Sequence, residues 1–150
     1  YLWDTDQERA IERGDLIHNI MAYITTADDI EFALNHFLSS GIINSSQQQE
    51  LFDVVNRIVD HDQLRTYFDS ANTIYNEQDI ISKTGILLRP DRVVVNPKNE
   101  TIIIDYKTGL QNSKHKEQLF DYQRVLEEMN FKVVKKILVY SNDDIVIKEF

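Results

Sequence analysis

Two β-branched triplets, Val93-Val94-Val95 and Ile102-Ile103-Ile104, lie on either side of Asn96-Pro97-Lys98-Asn99. Val and Ile lose rotamer freedom in a helix and pack well on a pleated sheet, whereas Pro and paired Asn favour a turn. The segment therefore reads as two strands joined by a turn, the second running from Glu100 to Tyr106. Each triplet has an aspartate close by, Asp91 ahead of the first and Asp105 directly after the second. A carboxylate at the end of an apolar strand is costly unless it is paired, hydrogen-bonded or bound to a cation. Lys107 follows Asp105 by two residues, which places both side chains on one face of a strand. Taken alone, this pair is compatible with an ordinary salt bridge at a strand end.

The rest of the chain arranges itself around these strands. Residues 1–70 read as helical and residues 71–150 as mixed, within a single domain, with no internal repeat or low-complexity tract. Leu16, Ile17, Ile20, Met21 and Ile24 recur at helical spacing between Gly14 and Thr25, with His18 beside the stripe. Thr26 with Asp29 forms a capping-box pattern ahead of a helix running to Gly41, and Ser46 with Gln49 repeats that signal ahead of Leu51, Val54, Val55 and Ile58. A short helix is expected over residues 62–68. From Thr73 the period changes to two, with one strand through Ile74, Glu77 and Ile80-Ile81, a turn at Lys83–Gly85, and a second strand from Ile86 that continues through Val95. These two and the strand at Glu100–Tyr106 form a meander. A helix over residues 114–129 and strands at 133–140 and 145–150 complete the pattern. A parallel connection across that helix is expected to be right-handed.

Cysteine is absent, which excludes disulfides, a thiolate nucleophile, iron–sulfur clusters and cysteine-ligated zinc, so a metal must bind through oxygen or histidine. The apolar runs are far shorter than the roughly 20 residues that a membrane span needs, and no signal pattern is present, so a cytoplasmic location is expected. Because the chain opens on Tyr1 within an acidic helix-like stretch, it reads as part of something longer. A net charge of −9 argues against a nucleic-acid partner, but the charge is unevenly distributed. Residues 1–82 carry 4 basic and 15 acidic side chains, whereas residues 83–136 carry 11 basic and 7 acidic ones, a local net of +4.

Pro90-Asp91 followed by Asp105-Tyr106-Lys107 on adjacent strands resembles the PD-(D/E)xK nuclease superfamily. Three further elements, in family order, resemble its RecB/AddA-like branch, usually the C-terminal nuclease domain of a helicase-nuclease. They are Gly14 with His18, the run Ile104-Asp105-Tyr106-Lys107-Thr108-Gly109, and Gln118 with Tyr122. The resemblance implies an α/β fold, a restriction-endonuclease-like core of order αβββαβ around a central mixed sheet, preceded by a helical lobe. It implies His18, Asp91, Asp105 and the Tyr106 backbone carbonyl as ligands of Mg²⁺ or Mn²⁺, hard cations that oxygen-rich sites favour. Asp91, Asp105 and Lys107 become the catalytic set, with Lys107 positioning or deprotonating the attacking water. Gln118 and Tyr122, four apart on one helical face, would line the active site or the strand. Glu77 stands where relatives often carry a strand glutamate and ranks below the others. Arg89, Arg92, Lys114, Lys116 and Arg124 are candidates for phosphate contact. Arg89 also departs from the family pattern, since many relatives place glycine there, which bears on how closely a phosphate backbone approaches. His36, His61 and His115 match no element and read as surface residues, His115 being the weakest such case because it lies in a basic loop.

The function so implied is metal-dependent hydrolysis of DNA, as the exonuclease module of a helicase-nuclease in repair or recombination. Its substrate would be single-stranded DNA delivered by a helicase region or subunit. No P-loop is present, so unwinding would reside elsewhere. Three alternatives stay open: a silent nuclease-fold module that guides DNA, a protein-interaction domain whose Asp105 and Lys107 form a salt bridge, and a self-contained endonuclease or RNA-directed enzyme.

Overall fold

Apolar residues at helical spacing make three α-helices in the first part of the chain, seen in a computed structural model that describes residues 2–150. α1 (Leu2–Met21) starts well ahead of the apolar stripe and buries Ile17, Ile20 and Met21 in its last turns. Before α2 (Ile30–Ser39) the Asp29 carboxylate accepts from the Thr25 and Thr26 N–H groups at 2.8 and 3.0 Å. That cap opens a single 3₁₀ turn, Ala27–Asp29, rather than the α-helix itself. α3 (Ser45–Val59) is capped by Asn44, not by the expected Ser46. Asn44 Oδ1 accepts from Gln47 N, and Gln47 Oε1 accepts from Asn44 N, both at 2.9 Å. Asn is as good a cap as Ser, and Ser46 falls within the first turn. Residues 65–68 form a 3₁₀ turn in place of the short helix expected at 62–68.

Five strands form one mixed sheet in the order β1-β4-β5-β6-β7. β1 (Thr73–Asn76), β4 (Arg92–Val95) and β5 (Glu100–Lys107) are successively antiparallel, as a meander requires. α4 (Ser113–Glu128) then carries the chain over to β6 (Lys132–Ser141), which pairs parallel to β5, and β7 (Ile145–Glu149) closes the edge antiparallel to β6. Alternate side chains feed two cores. Val94, Ile102, Ile104, Tyr106, Ile137 and Val139 pack against the three amino-terminal helices. Val93, Ile103, Leu138 and Tyr140 pack against Leu119, Tyr122, Val125 and Leu126 of α4. Burial on both faces explains why β4 and β5 read as unbroken apolar runs. This is the α/β architecture expected of a restriction-endonuclease-like core.

One expected feature is corrected. Strands through Ile80-Ile81 and from Ile86 to Val95 are not continuous, because each is split. β2 (Ile80–Ile81) and β3 (Leu87–Leu88) form a separate small hairpin between β1 and β4. The pairs Asn76↔Arg92 and Ile80↔Leu88 nevertheless keep one register, so the two hairpins are parts of a single ribbon interrupted at residues 77–79 and 89–91. Among the described residues, no helix is long and apolar enough to cross a membrane.

Candidate active site

The site forms at the carboxyl end of β5, where the ribbon breaks and α1 crosses. Helix α1 brings His18 there, and Gly14 sets how closely it can come. A Cβ on Gly14 would lie 2.5 Å from Thr108 Oγ1 and 3.4 Å from both other Thr108 side-chain carbons. One turn of helix separates Gly14 from His18, so the close contact with Thr108 and the placement of His18 are the same event. Together with Asp15, Lys107 and Ser141, these residues line a cleft of about 280 Å³.

The ribbon supplies two carboxylates at its interruption. Glu77 has φ 51°, a left-handed conformation unusual for a residue with a side chain, and its N–H donates to the Asp91 carbonyl at 3.0 Å. Pro90 follows on the opposite arm and provides no N–H for a ladder. The break turns Glu77 and Asp91 toward His18. Glu77 Oε1 contacts His18 Nε2, and Asp91 Oδ1 lies 3.4 Å from His18 Nδ1. The other Asp91 oxygen accepts the Tyr106 N–H at 2.9 Å.

β5 supplies the third carboxylate and the amine. Asp105 is 1% exposed, and Lys107 Nζ stands 2.8 Å from its Oδ2, an ion contact rather than an aligned hydrogen bond. Asp105 Oδ1 has no hydrogen-bond partner among the described residues. Lys107 also donates to Gln118 Oε1 on α4 at 2.7 Å. Tyr122, one turn later, is buried with its hydroxyl 3.4 Å from the Arg89 carbonyl. The Tyr106 ring turns into the opposite core, so only its backbone faces the acidic groups.

Charges at this site are strongly interdependent. The hydrogen bond to Asp91 outweighs burial and lifts the His18 imidazole to about 9, with the charges of Asp91, Glu77 and Asp105 adding to it. Burial opposes ionisation of Asp91, yet the His18 imidazole and the Tyr106 N–H hold it below the usual carboxylate range. Asp105 goes the other way, raised to about 7 by burial and then by the Asp91 charge. Glu77 is raised, chiefly by burial. The protonated imidazole thus supplies, between two carboxylates, the positive charge that a cation would bring.

The donor set fits a hard divalent ion. One nitrogen of His18 and one oxygen each of Glu77 and Asp91 lie within 4.8 Å of one another. Ligands sharing a small octahedral ion lie about 3–4 Å apart, so little contraction is needed. The unpartnered, buried Asp105 Oδ1 beside them is a polar atom lacking its complement. Glu77, ranked low from the sequence, therefore sits inside the cluster, while Asp105 adjoins it through Asp91. What hid Glu77 was its left-handed backbone, since such a turn normally signals itself by glycine.

The basic candidates separate. Arg92, expected beside Asp91 as a phosphate contact, is fully buried. Its guanidinium donates to the carbonyls of Ile24, Thr25 and Tyr67 at 2.6–2.9 Å and lies 3.9 Å from the Phe68 ring centre. It fastens the helical layer to the sheet and cannot reach a phosphate. Strand alternation explains this, because Arg92 points to the face opposite Asp91. Arg89 is exposed and forked onto Asp79 at 2.7 and 3.2 Å. Lys116 lies over the Phe150 ring at 4.7 Å and Arg124 pairs with Asp121 at 2.9 Å, both away from Gln118, whereas Lys114 is exposed at the start of α4.

Acidic groups, a histidine and a lysine gather at the strand ends of a mixed sheet, a donor set suited to a divalent cation. A family model described as the PD-(D/E)XK nuclease superfamily matches residues 2–146, and the chain belongs to that superfamily, whose members are usually nucleases and generally use divalent metal ions. No curated protein matches the sequence. Among solved structures, the crystal structure of SSO0001 is similar at 19% identity with a TM-score of 0.38, covering 88% of this chain. The chain spans 65% of that protein's length.

Proposed function

We propose that this chain is a RecB/AddA-like deoxyribonuclease domain that hydrolyses DNA phosphodiesters with Mg²⁺ or Mn²⁺. It works as the exonuclease module of a cytoplasmic helicase-nuclease in repair or recombination. The observation that carries this reading is the convergence of His18, Glu77 and Asp91 beside the Asp105–Lys107 pair. His18, Glu77, Asp91, Asp105 and the Tyr106 carbonyl are the groups that would hold the cation. When bound, such an ion neutralises charge on a phosphoryl group and lowers the pKa of water. Lys107, fixed between Asp105 and Gln118, is placed to orient the attacking water and to exchange a proton with it. Asp105 holds the ammonium in place, and Tyr122 closes the wall beneath. The single domain of residues 1–150 takes single-stranded DNA from a helicase region or partner, consistent with a basic middle segment in an otherwise acidic chain.

The test is cleavage of end-labelled single-stranded and double-stranded linear DNA and of a closed circle, in Mg²⁺, Mn²⁺ or EDTA. Metal-dependent cleavage of the linear strands, absent in Lys107→Ala and sparing the circle, is expected. Cleavage that persists in EDTA or in Lys107→Ala would remove these roles. Metal binding without cleavage would instead support a silent module.

A further inference from the structure

A second polar pair stands beside Lys107. Lys107 and Tyr140 are register partners on the parallel strands β5 and β6, so their side chains lie next to each other on the face that α4 covers. Above Lys107 sits Gln118. Above Tyr140 sits His115, whose Nδ1 lies 2.8 Å from the phenol oxygen, with the two ring centres 5.7 Å apart. Residues three apart share a helical face, so His115 and Gln118 form one polar row over the two strand ends.

The two rings differ in what they can still do. Tyr140 is 2% exposed, and its hydroxyl is satisfied by the imidazole. His115 is half-buried, and its Nε2 has no partner among the described residues. Burial and then the Lys107 charge push its imidazole below the usual range, so near neutral pH it is uncharged and has one donor and one acceptor. A phenol O–H given to Nδ1 fixes the tautomer and leaves Nε2–H as the outward donor. Any acceptor would satisfy a buried phenol. An imidazole accepts that bond and also presents its own N–H, aimed by it, within the same row as Gln118.

We infer that His115 is a substrate-positioning residue whose Nε2–H donates to a non-bridging phosphate oxygen of the nucleic-acid strand lying across Lys107. The inference rests on the nuclease reading and extends it to a residue that matches none of the sequence elements. Lys114, one position earlier, is exposed at the same end of α4. Tyr140 acts through His115 by holding the ring.

The test measures binding of a short fluorescein-labelled single-stranded oligodeoxynucleotide by anisotropy in Ca²⁺, with steady-state cleavage in Mn²⁺ alongside. His115→Ala is expected to weaken binding about tenfold, the value of one hydrogen bond to a charged oxygen, and to raise KM by a similar factor while kcat changes little. His115→Gln, whose amide nitrogen can occupy the Nε2 position, recovers most of the loss. Tyr140→Phe shifts KM in the same direction by less, and the double variant is no worse than His115→Ala alone. The Mn²⁺-induced rise in melting temperature stays at the wild-type value in His115→Ala, whose metal-free melting temperature falls no further than that of Tyr140→Phe/His115→Ala. If wild type and His115→Ala bind and cleave alike, the inference fails and the nuclease reading stands. If His115→Gln is as weak as His115→Ala, the donor role fails. If the wild type neither binds nor cleaves the strand, the nuclease reading fails and takes this contact with it.

Discussion

His18 and Asp105 make the proposed cation site a proton-linked device. A ligating imidazole must be neutral, yet metal-free His18 holds its proton to about 9. Binding Mn²⁺ at pH 7 is therefore expected to release a proton, seen as a calorimetric heat that depends on the buffer's ionisation enthalpy. A buffer-independent heat would argue against His18 as a ligand. The same shifts set the stability of the metal-free protein. His18 is raised above its ordinary 6.5, so its contribution is complete below that value and disappears as pH rises through about 9. Asp105 is raised above 3.8, so the folded state keeps a proton that the unfolded chain has lost, and stability falls between about 4 and 7. Asp91 is lowered and contributes in the opposite sense, its stabilisation being lost in acid. Asp105→Asn is accordingly expected to melt higher than wild type at pH 8 without metal while losing cleavage, as thermal denaturation and the cleavage assay would show. A lower melting temperature there would contradict the burial cost assigned to this carboxylate.

Helix α1 and the interrupted ribbon are where packing governs the site. Gly14→Ala adds helix propensity of up to about 1 kcal/mol but drives a methyl into Thr108. The expected result is a helix displaced from the strand, with most of the Mn²⁺-induced rise in melting temperature lost and regained in Gly14→Ala/Thr108→Ala. Arg92→Met strands the carbonyls of Ile24, Thr25 and Tyr67 and is expected to cost roughly 3 kcal/mol or more in urea denaturation, far beyond a surface arginine. The sequence showed the strands, α4 and the polar residues of the site, because each carries local signals: β-branched triplets, helical spacing, and Asp and Lys at period two. It hid whatever depends on distant partners. Arg92 reads as a charge beside Asp91 until strand alternation and the cover of α1 to α3 turn it inward. Glu77 reads as one more strand glutamate until the ribbon breaks around it. His115 reads as a loop histidine until the β5–β6 register brings Tyr140 beneath it.

The chain combines segments of opposite electrical character. The acidic first 82 residues supply His18 and Glu77 to the site, and the basic segment that follows supplies Asp91, Asp105, Lys107 and the polar row of α4. Without a cation, the carboxylates repel a phosphate backbone, so strand binding is expected to need Ca²⁺ or Mn²⁺ and to vanish in EDTA. Its salt slope should be shallow, matching few phosphate contacts. Mn²⁺ at a hundred times its dissociation constant should stabilise the fold by about 2.7 kcal/mol, checked by melting against metal concentration. No such shift would leave the cluster a salt-bridge network. His18 comes from the helical layer, whereas Glu77, Asp91 and Asp105 come from the ribbon and β5. An ion held among them ties one layer to the other, so amide hydrogen exchange along the last turns of α1 becomes a gauge of occupancy, slowing where no atom touches the metal.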